Sequence, residues 1–207
     1  MYRVYGDLQS GNCYKIKLLL NHLEFEHEWE HVDVRKGQSR TEEFLRFNPN
    51  GKIPVLEFEP GQYLWESNAI LNYLAEGTPY LPGERLARAR VLQWQCFEQY
   101  SHEPYIAVRR YIAKYLGLPE ERRAEYEAKQ AGGYAALGVM EQQLRSCAYL
   151  VNETLSIADF SLFAYTHVAS EGGFSLADYP GVRRWIAAIE AHPKHIPMPP
   201  SGAAARL

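Results

Sequence analysis

The first part of the chain alternates between short apolar runs and a helical repeat. One segment carries apolar side chains at i, i+3, i+4 and i+7: Ile16, Leu19, Leu20 and Leu23. This spacing predicts an amphipathic helix. Short apolar or alternating runs predict strands, at 2–5, 28–34, 55–59 and 62–64, and two further helices are expected at 41–47 and 66–75. The resulting order, β-α-β-α-β-β-α, is typical of a mixed α/β module whose last two strands form a hairpin.

Residues 78–83 form the clearest boundary in the chain. The stretch 77–83 contains two prolines and two glycines, a composition that cannot continue a helix. We therefore expect an α/β domain over 1–77 and an all-helical domain over 84–207. Helices are predicted within the second domain at 84–115 with a bend near Pro104, at 119–146, and at 179–191; the tail, 196–207, is expected either to pack back as a strap or to be loose.

The segment Ser156-Ile157-Ala158-Asp159 has the pattern of a capping box. In such a box the serine hydroxyl and the acid three residues later satisfy each other's backbone N–H groups. Leu155 and Phe160 occupy the two positions of a hydrophobic staple around it. We interpret Asp159 as a structural element of a helix start, and losing such a cap typically costs about 1 kcal/mol.

Composition and charge narrow the classes of protein. Hydrophobic residues make up 46% and charged residues 23% of the 207 residues, and the formal net charge is −3. This charge provides no basic field for nucleic acid, and no apolar run approaches the ~18 residues of a membrane span. The three cysteines, Cys13, Cys96 and Cys147, fit neither a disulfide framework nor a zinc site. We expect a cytoplasmic protein without metal.

Two stretches close together in the chain predict a small-ligand site. The segment 48–56 reads as a turn that runs through Pro54 into an apolar strand. A proline at a strand start removes one ladder donor, which leaves the backbone of Ile53 available for another partner. Shortly afterwards Glu66 and Ser67 begin a helix, whose N-terminal N–H groups attract anions. Together they predict a site for a small extended ligand that carries a carboxylate.

These features, in this order, resemble a cytosolic glutathione transferase over nearly the whole chain. The matching motifs are Asn48-Pro49-x-Gly51-Lys52-Ile53-Pro54-x-Leu56, Glu66-Ser67-x-Ala69-Ile70 and Ser156-x-x-Asp159-Phe160. At the N-terminus, Tyr5-x-Asp7-x-x-Ser10-x-x-Cys13 resembles the theta and delta type, in which a serine serves the glutathione thiol. The resemblance implies a thioredoxin-like first domain, an all-α second domain and glutathione as co-substrate.

The resemblance also assigns glutathione-binding residues. Ile53 would pair with the cysteinyl unit of glutathione, Glu66 and Ser67 would hold the γ-glutamyl end, and Lys52 would lie near the glycyl carboxylate. Glutathione is an extended tripeptide with two carboxylates and one ammonium, so a strand start and a helix N-terminus suit it.

A second contact to the glycyl carboxylate is expected from the loop after the second strand. In theta-type members a residue there often meets this carboxylate. The choices in this chain are Gln38, Ser39 and Arg40, and the sequence does not decide among them.

Several residues could stabilise the glutathione thiolate. A free thiol has a pKa near ~8.5, and each unit of lowering requires ~1.4 kcal/mol of preferential stabilisation of the anion. Ser10 ranks first as a donor, unless it serves only as a helix cap, and the Asn12 amide is next. Cys13 could form a mixed disulfide if the helix N-terminus lowers its pKa, or it could be a small core residue. Tyr5 is a fourth candidate, with sheet packing as the alternative.

The activity implied by the resemblance is a cytoplasmic, homodimeric detoxification enzyme in which glutathione attacks a hydrophobic electrophile. Its second-substrate pocket would include Leu8, Tyr105, Arg109 and Tyr111. Glutathione-dependent reduction of disulfides or peroxides is an alternative, and a non-catalytic binding or regulatory protein is another. A zeta-type isomerase is disfavoured, since those carry Ser-Ser-Cys-Ser where this chain has Ser10-Gly11-Asn12-Cys13.

Overall fold

The computed structural model of the protein describes residues 1–199 and divides into two compact units. The first unit comprises 1–76 together with the segment 193–199, and the second comprises 77–192. The sequence assigned 193–199 to the helical domain, whereas their contacts assign them to the first unit. Because 200–207 lie outside the described residues, the prediction for the C-terminal tail can be followed only to residue 199.

The first unit is a four-stranded mixed sheet with helices. Its elements are β1 Tyr2–Gly6, α1 Gly11–Leu23, β2 His27–His31, α2 Glu42–Phe47, β3 Val55–Glu59, β4 Gln62–Trp65 and α3 Ser67–Ala75. The strand order is β2-β1-β3-β4, with β1 parallel to β2 and β3 antiparallel to both of its neighbours. This confirms the predicted α/β class and the hairpin of β3 and β4.

The second strand is shorter than predicted. It ends at His31 instead of residue 34, because Asp33 begins a 3₁₀ turn at Val34–Lys36. The Asp33 carboxylate accepts hydrogen bonds from the backbone N–H groups of Arg35 and Lys36, at 3.0 and 3.3 Å. Local bonds of this kind compete with strand pairing, which explains why the prediction was wrong here.

Tyr5 belongs to an aromatic cluster on the sheet. Its ring lies 5.1 Å from that of Phe47, and Phe47 stacks on Tyr63 at 4.4 Å. The Tyr5 hydroxyl donates to the carboxylate of Glu57 at 3.0 Å. These contacts give Tyr5 a packing role between α2 and the sheet, in line with the alternative that the sequence left open.

The C-terminal segment 193–199 is held against α1. The Asn21 side-chain amide donates to the carbonyl of Lys194, and the Tyr14 hydroxyl donates to that of Ile196, both at 2.7 Å. The described part of the tail therefore forms a strap on the first unit, one of the two outcomes expected.

The second unit is all-helical. Its helices are α4 Arg85–Phe97, α5 Glu103–Arg110, α6 Glu120–Ala128, α7 Gln130–Leu144, α8 Ile157–Thr166 and α9 Pro180–Glu190. A π-helical turn, Glu98–His102, joins α4 to α5, and a second, Tyr111–Tyr115, follows α5. The first turn directly precedes Pro104, whose nitrogen cannot donate to the preceding turn, so the wider turn accommodates the proline. The predicted long helix is thus continuous and has the expected irregularity near Pro104, and the second π turn, at its C-terminal end, was not predicted.

The predicted helix at 119–146 is two helices, α6 and α7, which meet at Lys129. Two adjacent glycines, Gly132 and Gly133, predict a weak point in this helix and a close helix contact, and they lie in the first turn of α7. A Cβ on Gly132 would overlap the ring of Tyr105, and one on Gly133 would overlap the ring of Phe174. The expected close helix contact is therefore confirmed, because only glycine leaves room for these rings.

Helix α8 begins with the predicted capping box. Asp159 is fully buried, and its carboxylate accepts from the N–H and the hydroxyl of Ser156, the N–H of Leu150 and the indole of Trp185, each at 2.9 Å. Burial raises the pKa of Asp159, while these donors act to lower it. The carboxylate is a structural acceptor in the core, which confirms the interpretation from sequence.

Candidate functional site

The loop before β3 is shaped by the side chain of Asn48. Its oxygen accepts from the N–H of Asn50 at 2.9 Å, and its amide donates to the carbonyl of Lys52 at 2.8 Å. Gly51 has φ +63°, a left-handed conformation that suits glycine. The Ile53–Pro54 peptide is cis, and sheet pairing of β3 begins only at residue 55. The backbone of Ile53 therefore lies before the first paired residue of β3. This is the backbone that the sequence predicted to be available to a ligand.

Arg40 lies against this loop. Its Nη1 donates to the carbonyl of Asn50 at 3.1 Å, and a Cβ on Gly51 would fall 2.6 Å from that nitrogen. Of the other two candidates, Ser39 is buried, and the Gln38 side chain accepts a backbone N–H within its own loop at 2.6 Å. Of the three candidates, Arg40 is thus the one shown to bond to the loop at 48–52, and a contact between it and a carboxylate stays a prediction.

Glu66 has an unusual backbone conformation. Its φ of +69° with ψ of 111° lies in a region that side chains rarely adopt. Its carbonyl accepts from the N–H of Ile70 at 3.0 Å and so begins α3. A residue held in such a region costs about 1–3 kcal/mol and is typical of ligand-binding sites. The exposed Glu66 carboxylate is thereby placed at the start of α3.

Ser67 and Asn12 are in direct contact. The buried Ser67 hydroxyl donates to the side-chain oxygen of Asn12 at 3.2 Å. Ser67 is the first residue of α3, and Asn12 lies in the first turn of α1. The bond therefore joins a residue predicted to hold the γ-glutamyl end to a residue predicted to serve the sulfur.

Ser10 is the N-cap residue of α1. Its φ of −74° and ψ of 125° are extended, and its carbonyl accepts from the N–H of Tyr14 at 2.8 Å. Within the described residues, the Ser10 hydroxyl makes no capping bond to the helix backbone. Ser10 thus occupies the N-cap position that its alternative role requires, although through its carbonyl and not its hydroxyl, and a role toward the glutathione sulfur stays a prediction.

Cys13 points into the first unit. It is fully buried, and a Cβ on Gly6 would fall 2.6 Å from its sulfur. Burial raises the pKa of the Cys13 thiol to about 12, against the opposing effect of hydrogen bonds with the Ser10 side chain and the Asp7 backbone. The expectation of a lowered pKa is wrong, because loss of hydration outweighs the favourable helix position. A catalytic role for Cys13 stays a prediction that its burial disfavours.

Arg109, a predicted second-substrate residue, is engaged inside the second unit. It is 3% exposed, and its guanidinium lies 3.7 Å from the ring centre of Tyr126 and 4.9 Å from that of Phe174. Its Nε donates to the carbonyl of Gly172 at 2.9 Å. These contacts hold Arg109 between two aromatic rings.

The other predicted second-substrate residues differ in exposure. Leu8 is nearly buried in the first unit. In the second unit, the Tyr105 ring covers Gly132 and has the ammonium of Lys129 at 5.7 Å. Tyr111 is 40% exposed. Their assignment to a substrate pocket stays a prediction, for which Tyr111 offers the most accessible surface.

Within the described part of the chain, no group of three or more acidic, histidine or cysteine side chains is arranged to hold a metal ion. In the same residues, no helix has the length and apolar character required to span a membrane.

The architecture is that of a thioredoxin-like module followed by a helical domain. Residues 1–76 match the glutathione S-transferase N-terminal domain, and residues 93–193 match the C-terminal domain. The chain belongs to the glutathione S-transferase family.

Similar proteins include both solved structures and a curated relative. A crystal structure of glutathione S-transferase from Pseudomonas fluorescens Pf-5 is 61% identical with a TM-score of 0.94, over 95% of this chain and 98% of that one. The disulfide-bond oxidoreductase YfcG of Escherichia coli K12 is 31% identical over 89% of this chain and 88% of its own. Glutathione transferase URE2P6 from Phanerochaete chrysosporium, solved with oxidized glutathione, is 26% identical with a TM-score of 0.83, over 93% of this chain and 92% of that one.

Proposed function

We propose that the protein binds glutathione, stabilises its thiolate and directs it at a hydrophobic electrophile, as a glutathione transferase. The observation that carries this proposal is the hydrogen bond of 3.2 Å between Ser67 and Asn12. This bond joins Ser67, which is assigned to binding of the γ-glutamyl unit, to Asn12, which is assigned to stabilisation of the sulfur.

The γ-glutamyl end binds at the start of α3. The N–H groups of this helix start attract the carboxylate, and the exposed Glu66 carboxylate meets the ammonium. The strained backbone conformation of Glu66 supports this role. Strain of this kind is typical of ligand-binding sites, where it fixes the position of a functional side chain.

The rest of glutathione binds along the loop before β3. The backbone of Ile53, which precedes the sheet ladder, pairs with the cysteinyl unit as an added strand would. Lys52 and Arg40 supply positive charge for the glycyl carboxylate. The contact between Arg40 and the carbonyl of Asn50 supports this placement.

Thiolate stabilisation comes from the N-terminus of α1. The Ser10 hydroxyl, which makes no capping bond within the described residues and hydrogen-bonds the Cys13 side chain, turns to donate to the sulfur of bound glutathione. The Asn12 amide, oriented by Ser67, provides a second donor. Lowering the thiol pKa by one to two units needs ~1.4–2.7 kcal/mol, a range that hydrogen bonds to a charged group supply.

A glutathione-dependent disulfide reductase is the second candidate, favoured by the similarity to the oxidoreductase YfcG. In this reaction the glutathione thiolate attacks one sulfur of a disulfide, a new disulfide with glutathione forms, and the other sulfur leaves as a thiolate. Because Cys13 is buried with a raised pKa, glutathione itself would supply the attacking sulfur. A non-catalytic binding role is a third alternative, in which glutathione binds without turnover.

We also propose that the protein acts as a cytoplasmic homodimer. Helix α4 and the π turn after it expose three large apolar side chains, Leu86, Leu92 and Tyr100, at 56%, 59% and 80%. Burial of these three side chains against a second copy would remove their apolar area from water. The three cysteines, all in the free thiol state, fit a reducing compartment.

A panel of turnover assays separates these functions. The protein is assayed with glutathione and an aryl halide, a hydroperoxide or a mixed disulfide. Turnover of the aryl halide is the expected result. Turnover of the mixed disulfide alone would favour the second candidate. Binding of glutathione by calorimetry without turnover of any substrate would favour the non-catalytic role.

A further inference from the structure

A lysine and a histidine are in direct contact in the first unit, apart from the residues assigned to glutathione. The Lys17 Nζ of α1 lies 2.8 Å from the Nε2 of His27, the first residue of β2. The His27 Nδ1 lies 2.7 Å from the carbonyl oxygen of Phe25. Because a carbonyl can only accept, Nδ1 carries the proton, and Nε2 accepts a hydrogen bond from Lys17.

The surroundings of Lys17 disfavour its charged form. The side chain is half-buried, and burial lowers its pKa. Burial also lowers the pKa of His27, and the charge of Lys17 adds to this, while the bond to Phe25 acts in the opposite direction. The remaining neighbour is the Trp29 ring, with its centre 5.9 Å from Nζ. Among residues 1–199, no carboxylate forms an ion pair with Lys17.

Other lysines of the chain have a different environment. Lys194 pairs with the carboxylate of Glu24 at 2.8 Å, and Lys36 pairs with that of Asp33 at 3.7 Å. A carboxylate stabilises the ammonium form, which is not nucleophilic. Lys17 instead faces a neutral imidazole nitrogen that can take up a proton. Compared with Lys36 and Lys194, Lys17 is therefore the amine better placed to react.

We propose that Lys17, with His27 as its proton acceptor, is a site of acylation by activated acyl donors of the acyl phosphate class. The lone pair of Nζ attacks the carbonyl carbon of the donor, and a nitrogen–carbon bond forms. The bond from that carbon to the phosphate oxygen breaks, and phosphate leaves with the electron pair. One amine proton passes to Nε2 of His27 and then to water. The product is an amide, which has lost the lysine charge but keeps an N–H that faces His27.

The modification is independent of the proposed glutathione chemistry. Lys17 and His27 touch none of the residues assigned to glutathione in their recorded contacts within residues 1–199. The two proposals can therefore fail separately.

The test uses the whole unmodified protein and a limiting amount of acetyl phosphate. Peptide mass spectrometry measures the initial rate of acetylation at Lys17, with Lys36 and Lys194 as internal controls. Near pH ~7 we expect Lys17 to react at least about threefold faster than either control, since each unit of pKa lowering raises the neutral fraction about tenfold. The advantage should shrink toward pH ~10, where ordinary lysines also lose their proton. A rate at Lys17 equal to or below that of the controls at neutral pH would overturn the proposal.

A variant tests the part played by the imidazole. His27→Gln keeps a hydrogen-bond acceptor but removes the base. We expect the rate at Lys17 to fall severalfold, to the level that burial alone supports, while the rates at Lys36 and Lys194 should not change. If the rate at Lys17 in this variant equals that in the unmodified protein, His27 is not the proton acceptor and the proposal is overturned. The measurement on the unmodified protein stands even if the variant folds poorly.

Discussion

The hydroxyl of Ser67 donates a hydrogen bond of 3.2 Å to the side-chain oxygen of Asn12, and thereby joins the first residue of α3 to the first turn of α1. Recognition of the γ-glutamyl end and support of the sulfur are thus coupled through one bond. A change at Ser67 should affect both steps, whereas a change at Ser10 should affect only the second.

The first prediction concerns Ser67→Ala. The variant loses the bond that orients Asn12, together with a hydroxyl whose single proton turns from Asn12 to the γ-glutamyl carboxylate when glutathione binds. A hydrogen bond to a charged group contributes about 1.5–3 kcal/mol, so glutathione should bind roughly ten- to a hundredfold more weakly. Calorimetry measures the affinity, and kcat with an aryl halide should fall as well. Unchanged affinity in a folded Ser67→Ala protein would contradict the assigned role, and Ser10→Ala, with near-normal affinity, is the matched control.

The second prediction concerns Arg40, whose guanidinium contacts the loop that carries Lys52. Arg40→Ala should weaken glutathione binding by roughly twofold to fivefold, because an exposed charge pair contributes up to about 1 kcal/mol. The effect should diminish at high salt. The control is Arg35→Ala, since Arg35 pairs with Asp33 in the neighbouring loop. Equal effects of the two variants would indicate a general charge effect and would refute a specific role for Arg40.

The third prediction concerns the reactivity of Cys13. Burial raises the pKa of its thiol to about 12, so almost none of it is thiolate at neutral pH. In the folded protein, iodoacetamide should label the partly exposed Cys147 while Cys13 stays unmodified. In denaturant both should react, which controls for recovery of the peptides. Rapid labelling of Cys13 in the folded protein would revive a mixed-disulfide mechanism through this residue.

The fourth prediction concerns the pH dependence of stability at Glu141. Its carboxylate accepts from the N–H groups of Gly181 and Val182, at 3.2 and 3.0 Å, at the start of α9. Burial acts to raise the pKa of Glu141, but these bonds and that to Arg145 outweigh it, and the pKa lies below its usual value. Because the folded form binds its proton less tightly, the carboxylate stabilises the protein above the unfolded pKa of ~4.3. This contribution is lost as the pH falls through the lower folded pKa.

Glu141→Gln tests that prediction. Urea unfolding at neutral pH should show a loss of about 1 kcal/mol, the size of a helix-start interaction. The difference from the unmodified protein should shrink as the pH falls below about 4. Glu190→Gln, an exposed change at the far end of α9, should alter stability little. A Glu141→Gln difference that stays constant down to low pH would show that the carboxylate charge is not involved.

The parts of the fold that the sequence predicted depend on local signals. The repeat of Ile16 and its partners defined α1, and the spacing of Ser156 and Asp159 defined the start of α8. Glycines next to each other indicated the close contact in α7. Each of these signals acts within a few residues, so no knowledge of the distant chain was needed.

Other features depend on residues far apart in the chain or on competing local bonds. No spacing rule connects Glu141 to Gly181, and the side-chain bond of Asn12 to Ser67 could not be read from either motif alone. The end of β2 was missed because Asp33 offers the backbone an alternative to strand pairing.

The burial of Cys13 agrees with one of the two alternatives that the sequence offered, a small core residue on the inner face of α1. Cys13, Ile16 and Leu20 lie at i, i+3 and i+7, so the thiol shares the inner face of α1 with two core residues. Helix position alone suggested a reactive thiol, whereas the periodicity indicated a core residue.

The most direct measurement is a pH titration of the ultraviolet absorbance of the bound glutathione thiolate. In the unmodified protein we expect an apparent pKa at least about one unit below the ~8.5 of a free thiol. In Ser10→Ala the pKa should return toward that value by about a unit, with a smaller change in Asn12→Ala, while glutathione remains bound. An apparent pKa in Ser10→Ala equal to that of the unmodified protein would contradict the claim that this hydroxyl stabilises the sulfur.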